Sequence, residues 1–168
     1  METSSAAALL LKKQLIELQK SSTEGFSAGL VDDSDLFKWD VMIIGPYETF
    51  YEGGYFRAIL QFPKEYPNRP PVMKFTSEIW HPNVEKNGVV CISILHEPGD
   101  DQYGYEDAGM RWLPIHTIET ILISVISMLA DPNDESPANV EAAKQFRDDY
   151  NGEFKKRVRA CVRKSQEF

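Results

Sequence analysis

The sequence predicts an α+β domain: a four-stranded antiparallel sheet with one helix before it and others after it. Two observations carry that reading. Four strand-like runs follow one another between residues 25 and 76, with only short turn segments between them; short connections favour antiparallel neighbours. On both sides of this block the apolar spacing changes to that of helices. The 168 residues suit one domain, taken over 1–168, with a core large enough to be stable without disulfides.

Residues 6–20 are good helix formers, and Leu11, Leu15 and Leu18 repeat at i, i+4, i+7. Lys12 and Lys13 lie off that stripe, as on a solvated face. The strand-like runs cover 25–31, 37–44, 54–62 and 72–76. In the second, Phe37, Trp39, Val41 and Ile43 alternate with Lys38, Asp40 and Met42, as in a half-buried strand. Asp32-Asp33-Ser34-Asp35 and Glu52-Gly53-Gly54 supply turns. The stretch 66–71 cannot pair as a normal strand, because its three prolines lack a main-chain donor, and it is expected as a rigid, exposed loop.

The spacing predicts further helices over 117–130, 139–150 and 151–165. The first is the most apolar, with Ile118, Ile121, Leu122, Val125, Ile126 and Leu129 in a stripe wide enough for a central buried helix. Thr117 is its candidate cap; with Thr120 rather than Glu at the third position, no capping box is expected. In the last helix Phe154, Val158, Cys161 and Val162 share a face, which reads Cys161 as a core residue.

The formal net charge of −8 argues against nucleic acid or an acidic membrane surface as partner. Two cysteines are too few for a disulfide framework, so a reducing compartment is the default. Met1-Glu2-Thr3 has neither the positive start of a signal peptide nor the glycine for myristoylation. The longest apolar run, 118–130, is too short to span a bilayer. These readings place the chain in the cytosol or nucleus.

The chemistry centres on His81-Pro82-Asn83, with Cys91 eight residues after the asparagine. A thiol is a strong nucleophile, and a primary amide can donate to developing negative charge. Asn87-Gly88 is a turn signal that can fold the chain back and bring Asn83 near Cys91. His81 reads as structural rather than catalytic, since a hydrolytic Cys–His pair needs a third orienting group. Cys91, His81 and His96 lack a fourth ligand and the close pairing of a zinc site, so no metal is expected.

Residues 97–109 carry five acids, no base, three glycines and a proline, and show no regular period. The acids are Glu97, Asp100, Asp101, Glu106 and Asp107. The stretch begins six residues after Cys91. From the residues alone it is a surface insertion.

The ordered set Tyr66-Pro67 with Pro70-Pro71, His81-Pro82-Asn83, Cys91-Ile92 with Ile94-Leu95, Arg111-Trp112 with Pro114, Asp131-Pro132-Asn133, and Ser136-Pro137-Ala138-Asn139 resembles the ubiquitin-conjugating enzymes (E2). The resemblance covers roughly residues 9–165, and the acidic insertion makes it nearest to the G-type enzymes. It implies the ubiquitin-conjugating (UBC) fold. It implies that ubiquitin passes from the activating enzyme (E1) to Cys91 as a thioester, then to a lysine of a substrate or of ubiquitin, with a RING-type E3 ligase. ATP is used by E1, so no cofactor is implied for this chain, and a monomer is expected. Enzymes with such an acidic loop build the polyubiquitin chains that send proteins to the proteasome.

Residue by residue, Cys91 matches the nucleophile and Asn83 the oxyanion stabiliser, with a brace for its own loop as the other role open to Asn83. His81, Glu85, Ser93, Asp131, Asp134 and Ser136 are supporting candidates. Ser136 stands where many relatives have an acid, which weakens any strong general base there. The E1- and E3-binding surface is carried over onto Lys12, Lys13, Pro67, Asn68, Trp112, Pro114 and Ile115, and Asn68 departs from the usual bulky apolar residue. Ser27 matches a far-side patch where some relatives hold a second ubiquitin.

Overall fold

The computed structural model describes residues 5–21, 24–97 and 110–167. Its sheet has the order β1 (Phe26–Leu30), β2 (Lys38–Ile44), β3 (Tyr55–Gln61), β4 (Val72–Phe75), every neighbour antiparallel. The alternation read from the sequence sets which face turns inward. Trp39, Val41 and Ile43 of β2 lie opposite Leu60, Ala58 and Phe56 of β3, and all six are buried. Met73 and Phe75 of β4 extend the same layer opposite Leu60 and Ala58. Several strands stop one residue inside the expected ends; at the start of β1 the cause is Gly25, whose φ of +100° is a turn conformation.

Helix α1 (Ala6–Lys20) has the expected bounds, and the Ser5 hydroxyl caps it by accepting from the Ala8 N–H at 3.1 Å. Its buried line differs from the leucine stripe. Ala7, Leu11 and Gln14 are buried, while Leu15 and Leu18 are half-buried. The Gln14 carbonyl oxygen accepts from the Tyr66 hydroxyl at 3.1 Å and from the Ile118 N–H at 3.2 Å. One amide thus ties α1 to the proline-rich loop and to the start of the central helix. That loop is less exposed than expected. Tyr66, Pro70 and Pro71 are buried and only Asn68 and Arg69 stand in solvent, because the Tyr66 ring packs edge-on against Phe62 at 4.8 Å.

The central helix α2 (Ile118–Ala130) buries Ile118, Ile121, Leu122, Val125, Met128 and Leu129 in the core shared with the sheet; Ile126 is only half-buried. The expectation of no capping box is overturned. The Thr117 N–H donates to the Thr120 hydroxyl at 2.8 Å, and the Thr120 N–H donates to the Thr117 hydroxyl at 3.2 Å. A threonine oxygen does here what a Glu carboxylate does in the common form.

Helix α3 (Val140–Asp148) is capped by Asn139, whose side-chain oxygen accepts from the Ala142 N–H at 3.0 Å. The helix expected from residue 151 does not begin there. Gly152 sits at φ −101°, ψ −105°, inside an irregular turn over Tyr150–Phe154. A Cβ on Gly152 would lie 2.2 Å from an Asp149 carboxylate oxygen, so a larger residue here would push the Asp149 side chain off its bond to the Glu153 N–H. Helix α4 (Lys155–Ser165) follows and buries Val158, Cys161 and Val162, with Phe154 just before them, on the expected face.

Gln14 supplies a stability test. Gln14→Leu leaves a buried hydroxyl and a buried N–H without their acceptor, a loss of about 1–3 kcal/mol. The urea midpoint should fall while the slope of the transition stays unchanged; an unchanged midpoint would show that the two donors find other partners.

Candidate active site

Past β4 the chain reaches His81, whose ring is fully buried. The Asn83 N–H donates to Nδ1 at 2.9 Å, so Nδ1 is the acceptor nitrogen. Nε2 then carries the proton and donates to the Met128 carbonyl near the end of α2 at 2.8 Å. Burial pushes the imidazole down to about 4, only partly opposed by the Met128 bond, so the ring is neutral at physiological pH. Both nitrogens are committed, which makes His81 a structural post.

The next two residues join the same bracket. The Pro82 carbonyl accepts from the Ala138 N–H at 2.8 Å and the Asn139 N–H at 3.0 Å. The Asn83 side chain meets the main chain of Asn133 twice: its oxygen accepts from the Asn133 N–H at 2.8 Å, and its nitrogen donates to the Asn133 carbonyl at 2.6 Å. The loop between α2 and α3 is thereby fastened beside His81-Pro82-Asn83.

The turn at Asn87-Gly88 then returns the chain as the sequence suggests. Gly88 has φ +100°, and a Cβ there would lie 2.2 Å from the Phe75 carbonyl oxygen, so glycine is required on both counts. Its N–H donates to Glu85 and its carbonyl accepts from Phe75, each at 2.8 Å. Val84 and Val90 form an antiparallel bridge, and the Cys91 N–H donates to the Asn83 carbonyl at 2.9 Å. The proposed nucleophile is therefore hydrogen-bonded by its main chain to the proposed amide residue.

Cys91 is half-buried, and its Sγ lies 4.0 Å from a Glu85 carboxylate oxygen. Burial raises the thiol above its ordinary range, and the Glu85 charge raises it further. The sulfur is a protonated thiol at neutral pH, not a preformed thiolate. Cys161 is buried, and its thiol is pushed up to about 11, first by burial.

The other candidates divide. Ser93 opens a 3-10 turn over Ser93–Leu95, and its carbonyl accepts from the His96 N–H. Asp131 caps the end of α2 and is exposed, as is Ser136. Asp134 lies 4.0 Å from Arg147 Nε, an ion pair of its own. In the acidic stretch, Glu97 accepts from both Nε (2.9 Å) and a terminal nitrogen (2.6 Å) of Arg69. Asp100, Asp101, Glu106 and Asp107 lie outside the described residues. Among the described residues no three His, Cys, Asp or Glu side chains gather as a metal would need, and no helix is long and apolar enough to cross a membrane.

On the candidate docking surface Lys12, Lys13, Asn68, Pro114 and Ile115 are exposed, Ile115 at 80%, and Pro67 is half-buried. Trp112 departs from the expectation of a contact residue. It is fully buried, and its indole N–H donates to the Pro67 carbonyl at 2.7 Å. It braces the loop that presents Pro114 and Ile115 rather than touching a partner. Sequence reasoning missed the joining roles of Asn133 and Asn139. Their only signal was an asparagine in each of the two motifs after α2.

The electrostatics around Cys91 give a pH test. Glu85→Gln removes the neighbouring charge and leaves the burial, so the Cys91 pKa should fall towards its ordinary value. The pH midpoint of iodoacetamide alkylation, followed in a Cys161→Ser background, should move down. A midpoint that stays or rises would mean that the carboxylate does not act on the sulfur.

The chain is similar to known proteins over most of its length. The family model described as "Ubiquitin-conjugating enzyme" matches residues 10–162. The fission-yeast protein "Ubiquitin-conjugating enzyme E2 15" (Schizosaccharomyces pombe) is 68% identical over 165 residues, covering 98% of both chains. Human "Ubiquitin-conjugating enzyme E2 G2" is 48% identical over 162 residues, covering 95% of this chain and 98% of its own. The solved structure of human ubiquitin-conjugating enzyme E2 G1 superposes with a TM-score of 0.69 at 62% identity, over 78% of this chain and all of that one. The fold, an N-terminal helix followed by four antiparallel strands and three further helices, is that of the UBC domain. The chain belongs to the ubiquitin-conjugating enzymes, a family of transferases, and its relatives are consistent with the G-type.

Proposed function

We propose that Cys91 is the residue that carries ubiquitin. The observation that supports this is the Cys91 N–H bond to the Asn83 main-chain carbonyl, which ties a half-buried thiol residue to the bracket. In the first step the Cys91 sulfur, losing its proton, attacks the E1–ubiquitin thioester and the E1 thiolate leaves. In the second a neutral lysine amine attacks the Cys91 thioester, loses its proton, and expels the Cys91 sulfur, leaving an isopeptide bond. A raised thiol pKa suits an exchange in which the sulfur is nucleophile in one step and leaving group in the next. No cofactor enters either step.

In this proposal Asn83 is both brace and donor. Its oxygen and one N–H hold Asn133, which fixes the plane of the amide. A primary amide has a second N–H, and that one serves the oxyanion of the tetrahedral intermediate. Glu85, Ser93 and the 131–136 loop border the place where the lysine arrives. Asp134 is paired and Ser136 is neutral, so orientation and desolvation carry the lysine step more than a strong base does.

The coarser partners, ubiquitin, an E1 and an E3, follow from the family. The finer reading is a monomer of the cytosol or nucleus that serves RING-type ligases and builds polyubiquitin chains for proteasomal degradation. Its support is the acidic stretch that begins six residues after Cys91 in the sequence and suits the basic surface of an acceptor ubiquitin. Exposed charges act over about 8–10 Å at physiological salt, so only an acceptor already near the thiol feels them.

Charging with E1, ATP and ubiquitin tests the central assignment. Cys161→Ser should form a thiol-sensitive adduct on a non-reducing gel, Cys91→Ala none, and Cys91→Ser a stable oxyester. Asn83→Ala should load but discharge to lysine on the order of 10²-fold more slowly in a single turnover; normal discharge with a lowered melting point would leave it a brace alone. Neutralising Asp100, Asp101, Glu106 and Asp107 should spare charging and slow transfer onto a second ubiquitin, with salt slowing the parent more than the variant. Chain synthesis unchanged in rate would remove the acidic stretch from the proposal.

A further inference from the structure

Helix α4 carries six cations and no acid in eleven residues, against a formal charge of −8 for the whole chain. Lys155 and Arg159 are four apart, as are Arg159 and Arg163, spacings at which like charges repel on a helix. Most of these cations are not neutralised locally. Arg159 donates to the carbonyls of Phe50 and Glu52, Arg157 lies 3.9 Å over the Trp80 ring, and Lys155 lies 5.5 Å over the Phe50 ring. Among the described residues only Lys164 has a carboxylate ion-pair partner, Glu78 at 2.7 Å.

The outermost ridge, opposite buried Val158, Cys161 and Val162, is Lys156, Ala160 and Arg163. All three are exposed, and among the described residues neither Lys156 nor Arg163 has an ion-pair partner. Seven residues of helix separate the two charges by roughly 10 Å. Small Ala160 between them leaves a shallow saddle.

We propose that this outer face of α4 docks an acidic linear segment of a partner protein. Two acids about three residues apart in an extended segment span the same roughly 10 Å, so one carboxylate can meet Lys156 and the other Arg163. Other polyanions fit less well. The two rings that meet cations of this helix, Trp80 and Phe50, lie under Arg157 and Lys155 and are not open for base stacking. The ridge has no large apolar side chain to enter a bilayer. The run 155–159 has the composition of a transport signal, but it is helical and Val158 is fully buried, so it cannot be read as an extended strand. The face shares no residue with those assigned to ubiquitin transfer, so failure of this proposal leaves that reading untouched.

The test is an NMR titration of the whole chain with decaglutamate at physiological salt. Shifts should centre on Lys156, Ala160 and Arg163 and weaken as salt is added. Lys156→Glu with Arg163→Glu should weaken binding by roughly tenfold or more, while charging by E1 and the melting point stay those of the parent. Should the reversed pair fold poorly, Lys156→Gln with Arg163→Gln gives the same readout. Absence of shifts, shifts centred elsewhere, or unchanged affinity in the variants would overturn the proposal. So would tighter binding of a short DNA duplex or of phosphatidylserine vesicles at the same residues.

Discussion

The region around Cys91 depends on how three consecutive residues are held. His81, Pro82 and Asn83 accept or donate six hydrogen bonds whose partners are the Met128 carbonyl, the main chain of Asn133, the N–H groups of Ala138 and Asn139, and the Cys91 N–H. The partners come from three segments: the end of α2, the loop between α2 and α3, and the returning chain at Cys91. Buried polar groups of this kind are costly when left unpaired, so the arrangement holds as a unit or not at all. Cys91 is held to this bracket through its N–H. The bracket fixes one end of its hairpin, and Gly88 packed on Phe75 fixes the other.

Helix α2 connects this bracket to the opposite face of the molecule. Its first N–H, at Ile118, is held by Gln14 of α1, and the carbonyl of Met128 in its last turn holds His81. The span from Ile118 to Met128 is roughly 15 Å of regular helix. The exposed residues around Pro114 and Ile115 sit on a loop pinned by Trp112 to Pro67, and Tyr66 is pinned in turn to Gln14. The loop that carries Pro114 and Ile115 and the bracket that holds Cys91 therefore rest on the two ends of one beam.

The strands, the bounds of α1 and the central helix were legible in the sequence, because each has an apolar period that burial enforces. The pairing of Cys91 with Asn83 was legible from Asn87-Gly88, a turn with one cheap conformation. What escaped was polar and long-range. Gln14 is buried because Tyr66 and Ile118 need an acceptor, and nothing within a few residues of it says so. Thr120 caps through a hydroxyl where the pattern asks for a carboxylate. The turn at Gly152 interrupts two helical patterns that run smoothly in sequence. The choice of partner for Asn83, main chain of Asn133 rather than open solvent, is a property of the folded loop and leaves no local signature.

The neutral imidazole of His81 has a thermodynamic consequence for life in acid. In the unfolded chain a histidine takes up a proton near pH 6.5, whereas in the native state it refuses one until about 4. Between those values the unfolded form binds the extra proton, so stability drains away as the pH drops through that window and is fully intact above it. The gap corresponds to about 3 kcal/mol by linkage, a sizeable share of the net stability of a domain this size. Mild acid thus reaches the thiol region from beneath, by loosening the post that holds it, at a pH where a solvated carboxylate would still be charged.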